Sequence, residues 1–192
     1  MRTDKIEALV VELSQDPFNA RLNLNVAKEY ERLNQTASAS SFYLRAAEYG
    51  EEDKEVVYAS LLKISQCLAD QTGREHTVIN SLMQALTVCP NRPEAYFLIS
   101  QLYERQAKWQ ECFTFAELGL ATPDHDPLPV DVGYYDRYCL EFEKAVSGWW
   151  IGRNEESRQL FHDILKIKGV KKEYKDSIRS NLASIWKEQN AV

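Results

Sequence analysis

The sequence predicts an all-α fold: a right-handed solenoid of about four antiparallel helix pairs with a capping helix at each end. Three observations carry this expectation. Small and aromatic residues alternate at helical intervals in Ala27, Tyr30, Ala39, Tyr43 and Ala46. The pattern then repeats: aligning Ala27, Gln66 and Ser100 as one helix position gives steps of 39 and 34 residues. Turn-forming residues punctuate the apolar periodicity where one helix should end and the next begin. Small residues let paired helices approach closely, and rings fill the space between one pair and the next.

Taken in order, Thr3 or Asp4 can cap a first helix whose apolar stripe is Ile6, Leu9, Val10 and Leu13. It should stop near Asp16-Pro17, because the residue before proline avoids the helical region. The cap is expected over 3–15 and the first pair over about 20–50. The leading helix of that pair carries Leu22, Val26, Ala27, Tyr30 and Leu33, and Ala39, Tyr43, Ala46 and Ala47 follow in the second. Asn34 is placed at a left-handed turn position, which asparagine tolerates best after glycine. A second pair over 53–89 turns at Gly73 and stops at Pro90, with Leu61, Leu62, Ile64 and Leu68 facing Val78, Leu82, Ala85 and Leu86. The step of 39 implies an extension at Tyr49–Lys54 or a longer leading helix. In a third pair, over about 92–121, Pro93 sits in the first turn, where a missing N–H costs nothing. Tyr96, Ile99, Ser100 and Tyr103 lead it, and Trp109, Cys112 and Ala116 continue it.

From Ala121 to Gly133 three prolines rule out a continuous helix, so this stretch is an insertion or a crossing segment. Helical signal resumes near Tyr134. A fourth pair over 134–167 has Ala145 at the small position, Gly152 at the turn, and Ser157 and Phe161 beyond. Ile178, Leu182, Ile185 and Trp186 mark a closing helix over 171–188 with lysines toward water.

This arrangement resembles the tetratricopeptide repeat (TPR) proteins over most of the chain. A narrower resemblance rests on R-P-E-A-Y-F-L-I-S-Q-L-Y-E-R-Q-A-K-W-Q-E-C-F-T-F-A-E-L-G-L, on P-L-P-V-D-V, and on F-E-K-A-V-S-G-W-W-I-G-R-N-E-E-S-R. These runs are similar to TPR regions that accompany family-2 glycosyltransferases and to free-standing TPR proteins of large cyanobacterial tailed phages. The resemblance implies a protein-binding scaffold and transfers no catalytic residue. Within these 192 residues no strand–helix alternation of a transferase domain is expected. The positions of the peptide-carboxylate clamp found in chaperone-binding repeats hold Leu24 and Lys28, so chaperone-tail binding is not expected.

Composition narrows the function further. A net charge of −6 argues against a nucleic-acid grip. No apolar run approaches the roughly 20 residues of a membrane span, and Met1–Leu13 has no apolar core of a signal peptide. Cys67, Cys89, Cys112 and Cys139 form no C-x-x-C pair and are expected as buried free thiols, which suits the cytoplasm (of a host, if viral, or a virion). Asp124-His125-Asp126 has a metal-nucleotide spacing, but it lies in a proline-rich loop rather than at a strand end, so a solvated turn is expected. His76 and His162 have no partner at ligand spacing. Lys166, Lys168, Lys171, Lys172 and Lys175 read as a solvated face. No metal, no cofactor and no enzymatic activity are expected.

A groove-facing stripe can be read from the register: Arg21, Leu24, Lys28 and Glu31; Ser60, Lys63, Cys67 and Asp70; Glu94, Phe97, Gln101 and Glu104; Cys139, Phe142, Val146 and Trp149. Its last quarter is apolar. That end is either a partner site or is covered by the proline-rich segment or the closing helix. Trp149 falls on the stripe, whereas Trp150, about 100° round the helix, falls on the packing side. Lys28, Lys63, Phe97, Gln101, Glu104, Phe142, Val146 and Trp149 are the candidate residues for binding a protein partner. The expected function is a non-catalytic interaction scaffold.

Overall fold

The computed structural model describes residues 3–123 and 125–187. Among the described residues there are ten α-helices and no strand. They are α1 (Thr3–Gln15), α2 (Ala20–Arg32), α3 (Thr36–Glu48), α4 (Lys54–Ala69), α5 (Glu75–Val88), α6 (Pro93–Arg105), α7 (Trp109–Leu120), α8 (Tyr138–Trp150), α9 (Asn154–Lys166) and α10 (Lys172–Ile185). The chain divides into two compact units. The first is Met1–Ala95 with Pro123–Gly133; the second is Tyr96–Thr122 with Tyr134–Val192.

The turn inside each helix pair has one residue with positive φ: Asn34 (57°), Gly73 (79°), Ala107 (54°) and Gly152 (85°). These residues recur at steps of 39, 34 and 45, the register read from the helix positions themselves. Three of the four turns, those at Asn34, Ala107 and Gly152, close with the same hydrogen bond. The N–H after the left-handed residue donates back into the helix, from Gln35 to Tyr30 (2.9 Å), Lys108 to Tyr103 (2.9 Å) and Arg153 to Gly148 (2.8 Å). This satisfies carbonyls that the helix end would otherwise strand.

In the first unit, α2 starts where Asn19 accepts from the Leu22 N–H (3.0 Å), and α4 where Asp53 accepts from the Val56 N–H (3.3 Å). Successive helices from α1 to α5 pack on one another. Ala27, Ala39 and Ala46 are wholly buried at the crossings, with Tyr43, Tyr58 and Leu62 filling the space around them. The extension implied by the register lies partly in α4, which has 16 residues where α2 and α6 have 13. Ile6 and Leu13 of α1 are buried, but Val10, expected in the same stripe, is 42% exposed. One helix packed on one neighbour covers a narrow strip. The side chains at 3 and 4, expected to cap α1, lie outside the described residues.

In the second unit, α8 and α9 pair, and α7 packs on α8. Gly119 of α7 is where backbone must pass closely: a Cβ there would lie 2.8 Å from both Tyr96 and Leu140. Helix α8 begins at Tyr138, four residues later than the expected Tyr134. Gly133 turns the chain at φ 81°, and the first helical turn forms only beyond it, with the Asp136 carbonyl accepting from the Cys139 N–H (2.9 Å).

Candidate functional site

The proline-rich segment is a strap laid along the first unit. Its backbone carbonyls accept from side chains of α2 and α4 and from Arg92 just before α6. Lys28 Nζ on α2 donates to the Pro129 carbonyl at 2.8 Å. On α4, Lys63 Nζ donates to the Asp131 carbonyl at 3.1 Å and Gln66 Nε2 to the Val132 carbonyl at 2.9 Å. At the start of α6, Arg92 Nη2 donates to the Asp126 carbonyl at 2.8 Å, and His125 Nε2 lies 2.6 Å from the Asn91 carbonyl. The prolines at 127 and 129 suit this arrangement. They hold an extended backbone and have no N–H to satisfy. Gly133 N–H closes the strap onto Asp131 Oδ1 at 2.8 Å.

Two of the cations that reach the strap, Lys63 and Arg92, are held in place by neighbouring acids. The Lys63 side chain is only 8% exposed and pairs with Glu31, which also accepts from the Tyr43 hydroxyl. Burial and then that carboxylate push the Tyr43 phenol well above its ordinary range. Arg92 grips Glu94 through Nε (3.2 Å) and Nη2 (2.7 Å), and Tyr58 donates to the same carboxylate (3.2 Å) while accepting from the Ala95 N–H (2.9 Å). The strap is bound on its edge rather than enclosed. Val132 is buried, Leu128 and Val130 are half-buried, and His125, Asp126, Pro127, Pro129 and Asp131 are exposed. Carbonyl hydrogen bonds of this kind contribute about 0.5–1.5 kcal/mol each, and up to about 3 with a charged donor, so the hold is modest. Beside it remains a cavity of about 440 Å³ lined by Lys28, Glu31, Arg32, Tyr43, Lys63, Pro129, Val130 and Asp131.

In the second unit the apolar end of the stripe is sealed by its own rings. Phe97 is 1% exposed and meets Tyr134 at a centroid distance of 5.5 Å. Phe142 lies between Phe161 (6.0 Å) and Tyr174 of α10 (5.0 Å, edge-on). Between the two coverings left open by the sequence, the closing helix covers Phe142. Val146 is half-buried. Gln101 bonds the carboxylate of Glu143, which is buried and whose Oε2 has no hydrogen-bond partner. Burial first, and the charge of Glu104 second, push the Glu143 carboxyl up to about 8; Glu104, half-buried, is also raised by burial. Trp149 is half-buried against Trp150. Trp150, expected on the packing side, is instead 55% exposed, with Trp109 stacked on it at 4.9 Å.

Gln66, Arg92 and Glu143 were not among the candidates from sequence. Gln66 carried a signal: it is a long amide where the register places a small residue. Arg92 and Glu143 carried none. The thiols also differ from expectation, since Cys67 and Cys89 are half-buried while Cys112 and Cys139 are buried. Burial pushes all four up, Cys112 to about 12, which keeps them as thiols. Asp124 of the acidic triplet lies outside the described residues. Among the described residues no cluster of three potential metal ligands occurs, and no helix is long and apolar enough to cross a membrane.

No protein-family model and no curated protein sequence matches the chain. Solved structures do. PilF of Pseudomonas aeruginosa superposes with a TM-score of 0.68 at 10% identity, over 91% of this chain and 72% of its own. TTC0263, a thermophilic TPR protein of Thermus thermophilus, gives 0.63 at 13% identity over 94% and 90%. YrrB, described as a TPR protein with an unusual peptide-binding site, gives 0.62 at 12% identity over 93% and 84%. The fold is that of the tetratricopeptide repeats. In that fold the leading helices α2 and α4 supply the donors that meet the strap, and Tyr43 of α3 lines the cavity beside it.

Proposed function

We propose that the protein is a non-catalytic interaction scaffold whose first unit binds an extended protein segment by its main-chain carbonyls. The observation that carries this is the strap itself. Three side chains of α2 and α4, Lys28, Lys63 and Gln66, donate to three carbonyls within four consecutive residues. A row of donors recognises backbone whatever its side chains, and prolines favour the extended form it needs. The peptide-binding description of YrrB supports the same class of role. Of the candidates from sequence, Lys28 and Lys63 belong to this groove. Phe97, Gln101, Glu104, Phe142, Val146 and Trp149 would serve a partner only where the second unit leaves them accessible, with Trp149 and the exposed Trp150 the best placed.

The test is a titration of a labelled peptide with the sequence of residues 123–133 into a chain whose residues 125–132 are replaced by Gly and Ser at equal length. Saturable binding that disappears when Lys28→Ala and Lys63→Ala are added is the expected result. A folded replacement chain that binds nothing refutes the reading.

Service beside a glycosyltransferase and a place in a phage particle rest on the sequence resemblance alone. The first predicts co-purification with a transferase, and the second a fixed copy number in purified virions.

A further inference from the structure

We propose that the strap is a resident occupant that a partner displaces, and that this partner is an extended, proline-containing segment of another protein carrying an acidic side chain. The inference rests on the groove reading above and goes on to name the partner's chemistry and its regulation.

Three features of the first unit lead there. The strap is held at its edge, with most of its residues exposed, so release uncovers little apolar surface. It also underfills its site. A cavity of about 440 Å³ remains beside Pro129–Asp131, and a second of about 340 Å³ continues past Gln66 to Asn34, Cys67 and Asp70. Finally, the charge along the first cavity is uneven. Lys63 pairs with Glu31 and Arg32 with Glu29, whereas Lys28 donates to the neutral Pro129 carbonyl. An incoming carboxylate would meet the Lys28 ammonium where the strap offers that carbonyl, and a bond between two charged groups is the stronger kind.

The strap also has an advantage to be overcome. It is tethered at both ends, to α7 through Ala121–Thr122 and to α8 through 134–137, so its local concentration is in the millimolar range or above. A free partner therefore sees a groove open only for the fraction of time the strap is away, and its apparent affinity falls by that fraction. Binding is self-restrained, and whatever loosens the strap opens the groove.

The experiment compares three chains by fluorescence anisotropy with the labelled 123–133 peptide. They are the native chain, a Pro127→Gly/Pro129→Gly chain with a less preorganised strap, and the Gly/Ser replacement chain. The expected order of affinity, from weakest to tightest, is native, then Pro→Gly, then replacement, with at least about a tenfold gap between first and last. A peptide carrying Asp126→Asn and Asp131→Asn is expected to bind several-fold more weakly to the replacement chain. Equal affinity across the three chains overturns the self-restraint while leaving the groove reading intact. Absence of binding to a folded replacement chain refutes the groove reading itself. If the replacement chain does not fold, the Pro→Gly chain decides alone, and no gain over native overturns the proposal. An Asn peptide that binds as well as the acidic one overturns the partner chemistry. Light scattering is run on each chain. A native dimer that dissociates on strap replacement would make a second copy the occupant and overturn the proposal.

Discussion

The two units present the same kind of helix face and use it in opposite ways. In the first, α2 and α4 display Lys28, Lys63 and Gln66, which hold an extended stretch of chain by its carbonyls and leave space beside it. In the second, α6 and α8 display Phe97, which packs on Tyr134, and Phe142, which packs between Phe161 and Tyr174. Burying rings makes core, and core is not exchanged. Donating to carbonyls makes a contact whose net worth is small because water competes for both groups. The side chains on the stripe, rather than the helix scaffold, decide which face can change occupants.

The largest expected difference between the two lies in stability. Phe97→Ala should cost about 3–5 kcal/mol in urea unfolding, whereas Lys28→Ala, whose bond to Pro129 is exposed to solvent, should cost about 1 kcal/mol. Comparable losses from the two would abolish the contrast between core and contact. Next comes Glu143, an acid buried in the apolar unit near Glu104, Arg105 and Cys112. Its carboxyl is raised from 4.5 to about 8, so between those values the folded chain holds a proton that the unfolded chain has lost. Stability should therefore fall as pH rises from about 4.5 to 8 and level off above. Glu143→Gln should flatten that slope and stabilise the chain at pH 8 by an amount on the order of a few kcal/mol, as read from melting curves at several pH values. An unchanged slope would show that Glu143 ionises freely.

Two smaller effects sharpen the account of how helices meet and turn. Gly119→Ala must push apart Tyr96 and Leu140 and should cost about 1–3 kcal/mol. Ala107 occupies a left-handed turn at φ 54° where the corresponding turns use Asn34, Gly73 and Gly152. Ala107→Gly should stabilise by about 1 kcal/mol, the Cβ penalty removed less the entropy that glycine adds. Thermal melting checks both, and a loss in the second case would mean that the turn tolerates alanine without strain.

Much of the fold was legible because its rules are local. Asn34, Gly73 and Gly152 marked three of the four left-handed turns, and Ala27, Ala39, Ala116 and Ala145 sit fully buried at the small positions. Ala107 was not legible as a turn, since alanine carries no preference for positive φ. The strap's course was beyond local reading. Three prolines exclude helix, but they do not say that Pro129 meets Lys28, 101 residues away. Trp150 went wrong for a similar reason: helical phase placed it inward, and Trp109, the first residue of α7, stacks on it while it stays exposed. Glu143 was hidden because an acid beside lysine on a helix ordinarily faces water.

The most direct measurement is the rate at which endoproteinase Asp-N cuts the strap before Asp131, in the native chain and in one carrying Lys28→Ala, Lys63→Ala and Gln66→Ala. If these side chains hold the carbonyls of residues 129–132, the triple variant is cut at least about tenfold faster, as the fraction of chains with a free strap rises, while the helices stay resistant. Equal rates in two equally folded chains would mean that the strap is not held by these donors.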